Sequence, residues 1–330
     1  MNILISLDYE VFFGHHSGTV SRNILEPTEA LRQIAERHGA RLCLFVDAGF
    51  LWRLEKHAGQ ADQLKRDLDS IRWQLSDMVT AGHEVQLHIH PHWEDSPWSG
   101  NGWDICLDRY SLHRFGSVET AEIVRRYYNI LAQIAGAENV IAYRAGGWVI
   151  QPFAHLATSL ATAGIKIDST VYPHGTADSK THWFDFRGAP EKSKWRFDND
   201  PLIEVSNGKF LELPISSHRL TPDFFWRFAA IKKFGSSQHK PWGDGHAVPM
   251  GKSDMLKKLL RPSHSVVSID GYKSAFLRKA YIAYRQKGMS DFVIIGHPKA
   301  TTDYSLSAFD EFLASLTFDR FVTFLDYVKD

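Results

Sequence analysis

The sequence of 330 residues is poor in cysteine: it has two, Cys43 and Cys106, and no CxxC spacing. Disulfide frameworks and thiolate zinc sites need several cysteines, so neither is expected here. The chain also has no excess charge of one sign, because 38 basic and 38 acidic residues cancel. Nucleic acids and anionic membranes attract basic proteins, so the overall charge does not predict either as a partner.

Long apolar runs are also missing. No stretch approaches the roughly 18 apolar residues of a membrane-spanning helix, so no transmembrane segment is predicted. The start of the chain, MNILISLDYE, has no basic region and no small-residue cleavage pattern, and so does not resemble a signal peptide. We expect the protein to be cytoplasmic, with association with the inner membrane face as a second possibility. Motifs of the GxxxxGK[ST], GxSxG and HExxH types are absent as well, which argues against P-loop, nucleophile-elbow and zincin chemistry.

Short apolar runs alternate with longer segments of helical periodicity along the chain. The short runs predict strands near residues 2–7, 41–46, 84–87, 140–143, 165–167, 210–213 and 292–295. The periodic segments predict helices near residues 28–38, 61–81, 118–135, 152–163, 223–234, 272–287 and 305–327. This alternation is typical of a parallel sheet. We therefore predict a single α/β domain, residues 1–330, with its parallel strands in a distorted (β/α)7-type barrel.

Three segments are longer than an ordinary connection between a strand and a helix. They span residues 94–116, 173–202 and 235–264 and are rich in Trp, Gly, Pro and Ser. Loops of this length in a compact domain usually carry function. We interpret them as insertions around a site at the C-terminal ends of the strands, and not as linkers between domains.

The residues best suited to chemistry directly follow predicted strands. They are Asp8, Glu10, His88, His90, His92, Arg144, Asp168 and His297. In parallel α/β architectures the C-terminal strand ends converge on one face, where the active site is built. The sequence therefore predicts one site assembled from side chains that are far apart in the chain.

The segment HIHPHW indicates a metal site. His88 and His92 are four residues apart, which puts both imidazoles on one side of a turn or short helix. Asp8 and Glu10 are two residues apart, so an extended chain points both to one side, opposite Tyr9. One carboxylate would bind the ion and the other would accept a proton from water, and the residues leave open which does which. Zn²⁺ is the first choice of ion, with Co²⁺, Ni²⁺, Fe²⁺ and Mn²⁺ as alternatives.

Six motifs carry a resemblance to a known family: LDYE, GHEVQLHIHPH, YRAGGW, DSTVYP, ELPIS and IIGHP. From about Ile3 to Pro298 the chain resembles the polysaccharide deacetylases, which are NodB-like, metal-dependent carbohydrate esterases. The resemblance implies that the chain removes N-acetyl groups from a sugar. Without an export signal, the expected substrate is a nucleotide-linked or lipid-linked precursor of a surface polysaccharide such as O-antigen.

The resemblance also implies roles for matching residues at the metal. His88 and His92 match the two histidine ligands, and Glu10 is the candidate acidic ligand. Asp8 matches the catalytic base, although it could bind the metal in place of Glu10. Arg144 matches the arginine that pairs with and orients this base.

Further roles follow from the same resemblance, together with two departures from it. His297 matches the histidine that protonates the leaving amine, and Asp168 lies where members carry a further acid near the site. Tyr9 stands where the commonest first motif has its metal-binding aspartate, which is why Glu10 is the candidate ligand. Gly146 stands where the family usually has proline.

Side chains beside the predicted site are candidates for contacting the substrate. They are Trp93, Trp148, Tyr172 and His90, the last also as a residue supporting the ligands. Aromatic faces stack on sugar rings, although a single tryptophan is more often part of a core. Two other functions fit the same residues: a deformylase or other amide hydrolase acting on a sugar precursor, and an inactive metal-containing sugar-binding protein.

Overall fold

The computed structural model describes residues 1–179, 181–248 and 251–328. Lys180, Pro249 and Met250 belong to two of the predicted insertions and lie outside the described residues. The strands are β1 (Asn2–Tyr9), β2 (Leu42–Asp47), β3 (Glu84–Ile89), β4 (Ala142–Ala145), β5 (Ile167–Asp168), β6 (Thr176–Asp178), β7 (Trp183–Asp185), β8 (Trp195–Phe197), β9 (Phe210–Glu212), β10 (Ser217–Leu220), β11 (Ser263–Val266), β12 (Asp291–Gly296) and β13 (Arg320–Phe321).

The α-helices are distributed along the same ranges. They are α1 (Glu26–Arg37), α2 (Ala48–His57), α3 (Asp62–Thr80), α4 (Ser117–Ala135), α5 (Ala154–Thr162), α6 (Pro222–Phe234), α7 (Lys252–Leu260), α8 (Leu277–Gln286) and α9 (Asp303–Ala314). Within the described parts of the chain, none of these helices has the length and hydropathy needed to cross a bilayer.

The central sheet is mostly parallel. Its strand order is β12, β1, β2, β3, β4, β5, β9 and β8, with β13 beside the start of β1. Every pairing from β12 to β9 is parallel, and β8 alone runs antiparallel, on the edge beside β9. The sheet curls into a half-barrel. The predicted single-domain, distorted barrel of parallel strands is therefore confirmed.

All seven predicted strands are present as β1, β2, β3, β4, β5, β9 and β12, and they are neighbours in the sheet. The short strands β6, β7, β8, β10, β11 and β13 were not predicted, because two to four residues carry too little periodicity to recognise. β13 lies in the last predicted helical segment, 305–327, of which α9 forms only the part up to Ala314. Helix α2 was missed because it begins directly after β2, without a connecting segment. The predicted insertions thus contain regular structure, including the antiparallel pair β6–β7 and helix α7.

The central strands are buried on both faces. Every residue of β2, β3 and β12 is buried, as expected for parallel strands that lie inside an α/β fold. Polar side chains in the strand interiors therefore need partners. Gln86 is an example: its side-chain oxygen accepts hydrogen bonds from the backbone amides of Ile141 and Ala142 at 2.9 and 2.8 Å.

Glu84, at the start of β3, fastens the C-terminal segment to the sheet. Its carboxylate accepts hydrogen bonds from the backbone amides of Phe324 and Leu325, both at 3.0 Å. Replacing Glu84 by Ala leaves these donors without partners, so we expect the free energy of unfolding to fall by about 2–4 kcal/mol. Urea unfolding measures this change. The exposed Glu122→Ala on helix α4 is the control, and an equal loss in both variants would contradict the assignment.

Candidate active site

Asp8, in β1, forms a buried ion pair with Arg144, in β4. The Nη1 atom of Arg144 lies 2.5 Å from Oδ1 of Asp8, and the guanidinium is fully buried. Arg144 also donates to Ser6 Oγ at 2.9 Å and to the backbone oxygen of Ser169 at 2.8 Å. It donates as well to Ser169 Oγ at 3.2 Å, and its guanidinium lies over the face of the Phe45 ring. Arg144 is thus held rigidly, and it in turn fixes the orientation of the Asp8 carboxylate.

Tyr9 points away from this ion pair. It is buried, and its hydroxyl donates to Gln74 Oε1 at 2.9 Å. The predicted alternation along β1 is therefore confirmed, with Asp8 and Glu10 on the side opposite Tyr9. Tyr9 therefore does not take part in the site, and the second carboxylate of this segment is that of Glu10, which lies beside His88 and His90.

Glu10 meets two histidines at the C-terminal end of β3. Its Oε2 atom lies 3.3 Å from His88 Nε2 and 2.6 Å from His90 Nε2. Potential donor atoms of these three side chains lie within 4.8 Å of one another, and all three are buried. Lys299 donates to the other oxygen, Oε1, at 2.8 Å. Burial alone would raise the pKa of Glu10, but Lys299 and the histidines outweigh it, so the pKa is lowered.

This group suits a divalent metal ion. A carboxylate and two imidazoles are the donor set of many catalytic zinc sites. His88 is oriented by its Nδ1 atom, which lies 2.9 Å from the backbone oxygen of Arg144, so Nε2 points to the group. Both nitrogens of His90 are buried without a hydrogen bond, although Nε2 is close to Glu10. Burial lowers the pKa of His90 to about 4, which keeps the imidazole neutral and able to bind a cation.

Gly146 makes room for His90. A Cβ atom at Gly146 would lie 2.5 Å from Nδ1 of His90, which is closer than real side chains allow. Phe13, in the segment after β1, also packs against the ring of His90, and the two ring centroids lie 4.4 Å apart. The glycine that departs from the family motif therefore allows His90 to stand next to Glu10. The sequence alone gave no indication of this contact, because Gly146 and His90 follow two different strands.

His92, the predicted second histidine ligand, lies on the short 3-10 helix Pro91–Asp95. It is fully buried, and neither ring nitrogen has a hydrogen bond. Its ring is stacked on Tyr110 at a centroid distance of 5.7 Å and is 5.5 Å from that of His90. The structure thus places His92 beside the Glu10, His88 and His90 group and not within it, and the ligand set remains a prediction.

His297, directly after β12, is held by Asp270. Its Nδ1 atom lies 2.8 Å from Oδ2 of Asp270, and its backbone amide donates to Oδ1 at 2.7 Å. Nε2 is left facing Asp8 Oδ2, at 3.6 Å. Burial lowers the pKa of His297, but Asp270 and the site carboxylates outweigh this, so the pKa is raised. A side chain fixed in this way can present a proton from Nε2 to the site.

Asp168, at the end of β5, is buried. It accepts hydrogen bonds from the backbone amide and the hydroxyl of Thr170, at 3.1 and 2.8 Å. The Thr170 hydroxyl in turn accepts from the backbone amide of Ala145, next to Arg144. Burial raises the pKa of Asp168, and the pKa of its neighbour Glu212 is raised for the same reason. Asp168 therefore braces the ends of β4 and β5, and a direct part in the reaction stays a prediction.

The candidate substrate-contacting aromatics differ in exposure. Trp93 is fully buried, and its indole nitrogen donates to Asp47 at 2.6 Å, so its face is covered by the core. Trp148 is half-buried on the turn after β4, and its ring lies 5.3 Å from that of Tyr172. Tyr172 is itself buried, with 7% of its surface exposed, so Trp148 is the best placed of the three aromatic side chains to contact a ligand at the strand ends.

Three polar residues at the site were missed in the sequence. Asp47 is the last residue of β2, Asp270 follows the run SVVSI, and Lys299 stands two residues after His297. Burial raises the pKa of Asp47 to about 7. The rule that selected the other residues, a polar side chain directly after a predicted strand, would also have selected Asp47 but not Asp270, because no strand was predicted before Asp270. Lys299 gave no such signal, because only the fold reveals that it reaches Glu10.

Comparison with known proteins finds similarity in structure but not in sequence. No protein-family model matches the chain, and no curated protein sequence matches it significantly. The structure is similar to that of a "putative polysaccharide deacetylase" from Mycobacterium smegmatis, with TM-score 0.52 and 15% identity, over 98% of this chain and 89% of that one. A Puue allantoinase (TM-score 0.49, 15% identity, 99% and 89%) and a probable polysaccharide deacetylase from Pseudomonas aeruginosa PAO1 (0.47, 14%, 99% and 89%) are also similar. The fold implied by the sequence resemblance, that of a polysaccharide deacetylase, is confirmed.

Proposed function

We propose that the chain is a metal-dependent amide hydrolase that removes the N-acetyl group from an N-acetylated sugar. The observation that carries the proposal is the meeting of three units on one strand-end face. These units are the Asp8 and Arg144 pair, the Glu10, His88 and His90 group, and the His297 and Asp270 pair. A base, a metal site and an acid are the parts that hydrolysis of an amide requires.

Asp8 acts as the general base. Its Oδ1 atom is engaged by Arg144, which leaves Oδ2 to accept the proton of the attacking water. Glu10 is not equally suited to this role, because one of its oxygens receives the Lys299 ammonium and the other faces the two histidines. The geometry therefore favours Glu10 as the ligand and Asp8 as the base, and this division of roles is part of the proposal.

His297 acts as the general acid. The departing nitrogen of an amide is a poor leaving group until it is protonated, so a proton donor is required. Asp270 holds Nδ1 of His297 and stabilises its positive form, while Nε2 faces the same space as Asp8 Oδ2. Oδ2 of Asp8 and Nε2 of His297 thus lie 3.6 Å apart, close enough to act on the attacking water and on the leaving nitrogen of the same amide.

The metal ion would be held by Glu10, His88 and His90, with Zn²⁺ as the first choice. When bound, such an ion supplies Lewis acidity, which polarises a carbonyl and acidifies water. Lys299 contributes by fixing Glu10, since its ammonium group bonds to both Oε1 of Glu10 and the backbone oxygen of Val11. The residues present therefore fit the ion in number, type and burial.

We further infer that the substrate is a nucleotide-linked or lipid-linked precursor of a surface polysaccharide such as O-antigen. The motif resemblance and the deacetylase-like fold support a sugar. Trp148 and Tyr172 are the aromatic side chains we expect to contact the sugar.

Acetate release from a panel of substrates tests the proposed function. Protein loaded with Zn²⁺ is incubated with N-acetylated UDP-sugars, N-acetylated lipid-linked oligosaccharides and finished polymer, and acetate and free amine are measured. We expect equal amounts of both products from at least one precursor. Asp8→Asn protein, purified in the same way, is the blank for contaminating enzymes.

Two results would contradict the proposal. Formate release from N-formyl analogues without acetate release would identify a deformylase. Tight sugar binding with no product from any substrate would identify a sugar-binding protein without turnover. Activity on finished polymer alone would contradict the choice of a precursor as substrate, but not the hydrolase itself.

A further inference from the structure

Positive charge is concentrated in one part of the chain. Residues 221–262 contain eight basic and three acidic residues, a net charge of +5, whereas the remainder of the neutral chain has a net charge of −5. One of the three acids is occupied locally, because Asp244 accepts hydrogen bonds from both the backbone amide and the hydroxyl of Thr19. This stretch includes helices α6 and α7, and a segregated charge of this kind favours an anionic partner.

The same two helices expose large apolar side chains. On α6, Trp226 is 59% exposed and Phe234 is 77% exposed. They are eight residues apart, so they lie toward one side of the helix, and Arg227 and Lys233 flank them. Helix α7 adds further exposed side chains, which are Met255, Leu256 and Leu260. We call this set, with its flanking cations, the α6–α7 surface.

The α6–α7 surface is joined firmly to the body of the protein. Phe224 is the buried residue of α6 and packs against Tyr272 and Phe276. The two helices also contact each other, since the indole nitrogen of Trp226 donates to the backbone oxygen of Leu259 at 3.2 Å. The surface can therefore act as a single rigid face.

The segment between the two helices connects this surface with the loops of the active site. The backbone amide of His246 donates to the oxygen of His16 at 2.8 Å, in the loop that follows Glu10. The amide of Trp242 donates to the oxygen of Thr301 at 2.8 Å, two residues from Lys299. A partner bound at the α6–α7 surface would consequently be held in a defined position relative to the site.

We propose that the α6–α7 surface docks the protein on a lipid bilayer that contains anionic phospholipid. Exposed aromatic and aliphatic side chains bordered by Lys and Arg are the composition of helices that lie in a membrane interface. Each cation close to an anionic leaflet strengthens binding about fivefold. A second copy of the chain fits less well, since an isologous contact would bring two positive faces together. Nucleic acid would leave the apolar side chains unused. The proposal is independent of the hydrolase activity.

Vesicle co-sedimentation of the full chain tests this proposal. Binding to phosphatidylglycerol vesicles is compared with binding to phosphatidylcholine vesicles, at low and at high salt. We expect binding to phosphatidylglycerol at least about tenfold tighter than to phosphatidylcholine, and its loss at high salt. Equal binding to both lipids, or binding to neither, would overturn the proposal.

Matched variants locate the surface. Trp226→Ala/Phe234→Ala should weaken binding about tenfold or more. Trp73→Ala/Phe318→Ala is the control, because these residues are of the same types and are 70% and 90% exposed elsewhere. Arg227→Glu/Lys233→Glu should also weaken binding, unlike Arg125→Glu/Lys65→Glu at exposed positions of α4 and α3. This second pair keeps the test decisive if the first variant does not fold.

Two further outcomes would each contradict the proposal. Light scattering that shows a dimer for the wild type and a monomer for Trp226→Ala/Phe234→Ala would assign the surface to a second copy of the chain. If the control variants lost vesicle binding to the same extent as the α6–α7 variants, the α6–α7 surface would not be the membrane-binding site.

Discussion

Replacing His88 by Ala is expected to remove the bound metal ion and to lower kcat/KM by about a thousandfold or more. His88 is buried, its Nδ1 atom is held by the backbone oxygen of Arg144, and Nε2 faces Glu10. Loss of this donor leaves two ligands, and loss of the ion removes several kcal/mol of transition-state stabilisation. Metal content by mass spectrometry and kinetics with added Zn²⁺ measure both effects. The exposed His113→Ala should behave like the wild type.

The companion experiment compares His90 with His92. We expect His90→Phe to lose the metal ion and His92→Phe to retain it, because the donor atoms of His90 lie in the Glu10 and His88 group. Phenylalanine keeps a ring at either position, so the packing against Phe13 and Tyr110 is preserved as far as possible. The opposite result would restore the ligand set that the motif resemblance implies, with His92 in place of His90.

Replacing Asp8 by Asn is expected to lower kcat by about 10²- to 10⁴-fold while the metal content stays unchanged. The amide cannot accept the proton from water, whereas Glu10, His88 and His90 are all retained. This combination separates a base from a ligand, because a ligand variant loses ion and activity together. Metal loss in Asp8→Asn equal to that in His88→Ala would show that Asp8 binds the ion.

Folding must be controlled in this experiment. Asp8→Asn leaves the fully buried guanidinium of Arg144 without its counter-charge, and breaking a buried pair costs about 3–5 kcal/mol. Asp8→Asn/Arg144→Met removes both charges, so the free energy of unfolding should recover part of this loss. Activity should remain low in the double variant. Recovery of activity together with stability would mean that Asp8 serves the fold and not the reaction.

Much of the site could be predicted because strand ends are visible in a sequence. A short apolar run followed by a polar residue identifies a strand and its end, and the parallel arrangement brings such ends together. Asp8, Arg144 and His297 were selected in this way, and the structure brings their side chains to one face. Asp270 shows the limit of the method, because β11, the short strand that precedes it, is too short for its periodicity to be recognised.

The sequence did not predict which histidine lies next to His88 and Glu10. A spacing of four residues pairs His88 with His92 only if the chain turns helically from His88 onward. In the structure β3 continues to Ile89, and extended backbone puts His88 and His90 on the same side. Gly146, from the end of the next strand, then leaves the space that His90 occupies.

The sequence by itself determined the seven parallel strands of the central sheet, the α/β class and the face on which the reactive residues gather. These properties depend on periodicity and on local chemistry, which act over a few residues. Only the tertiary structure decided that Lys299 pairs with Glu10, that Asp270 orients His297, and that His90 lies in one group with Glu10 and His88. Such contacts depend on distances of a few ångströms between residues far apart in the chain, and those distances are set by packing.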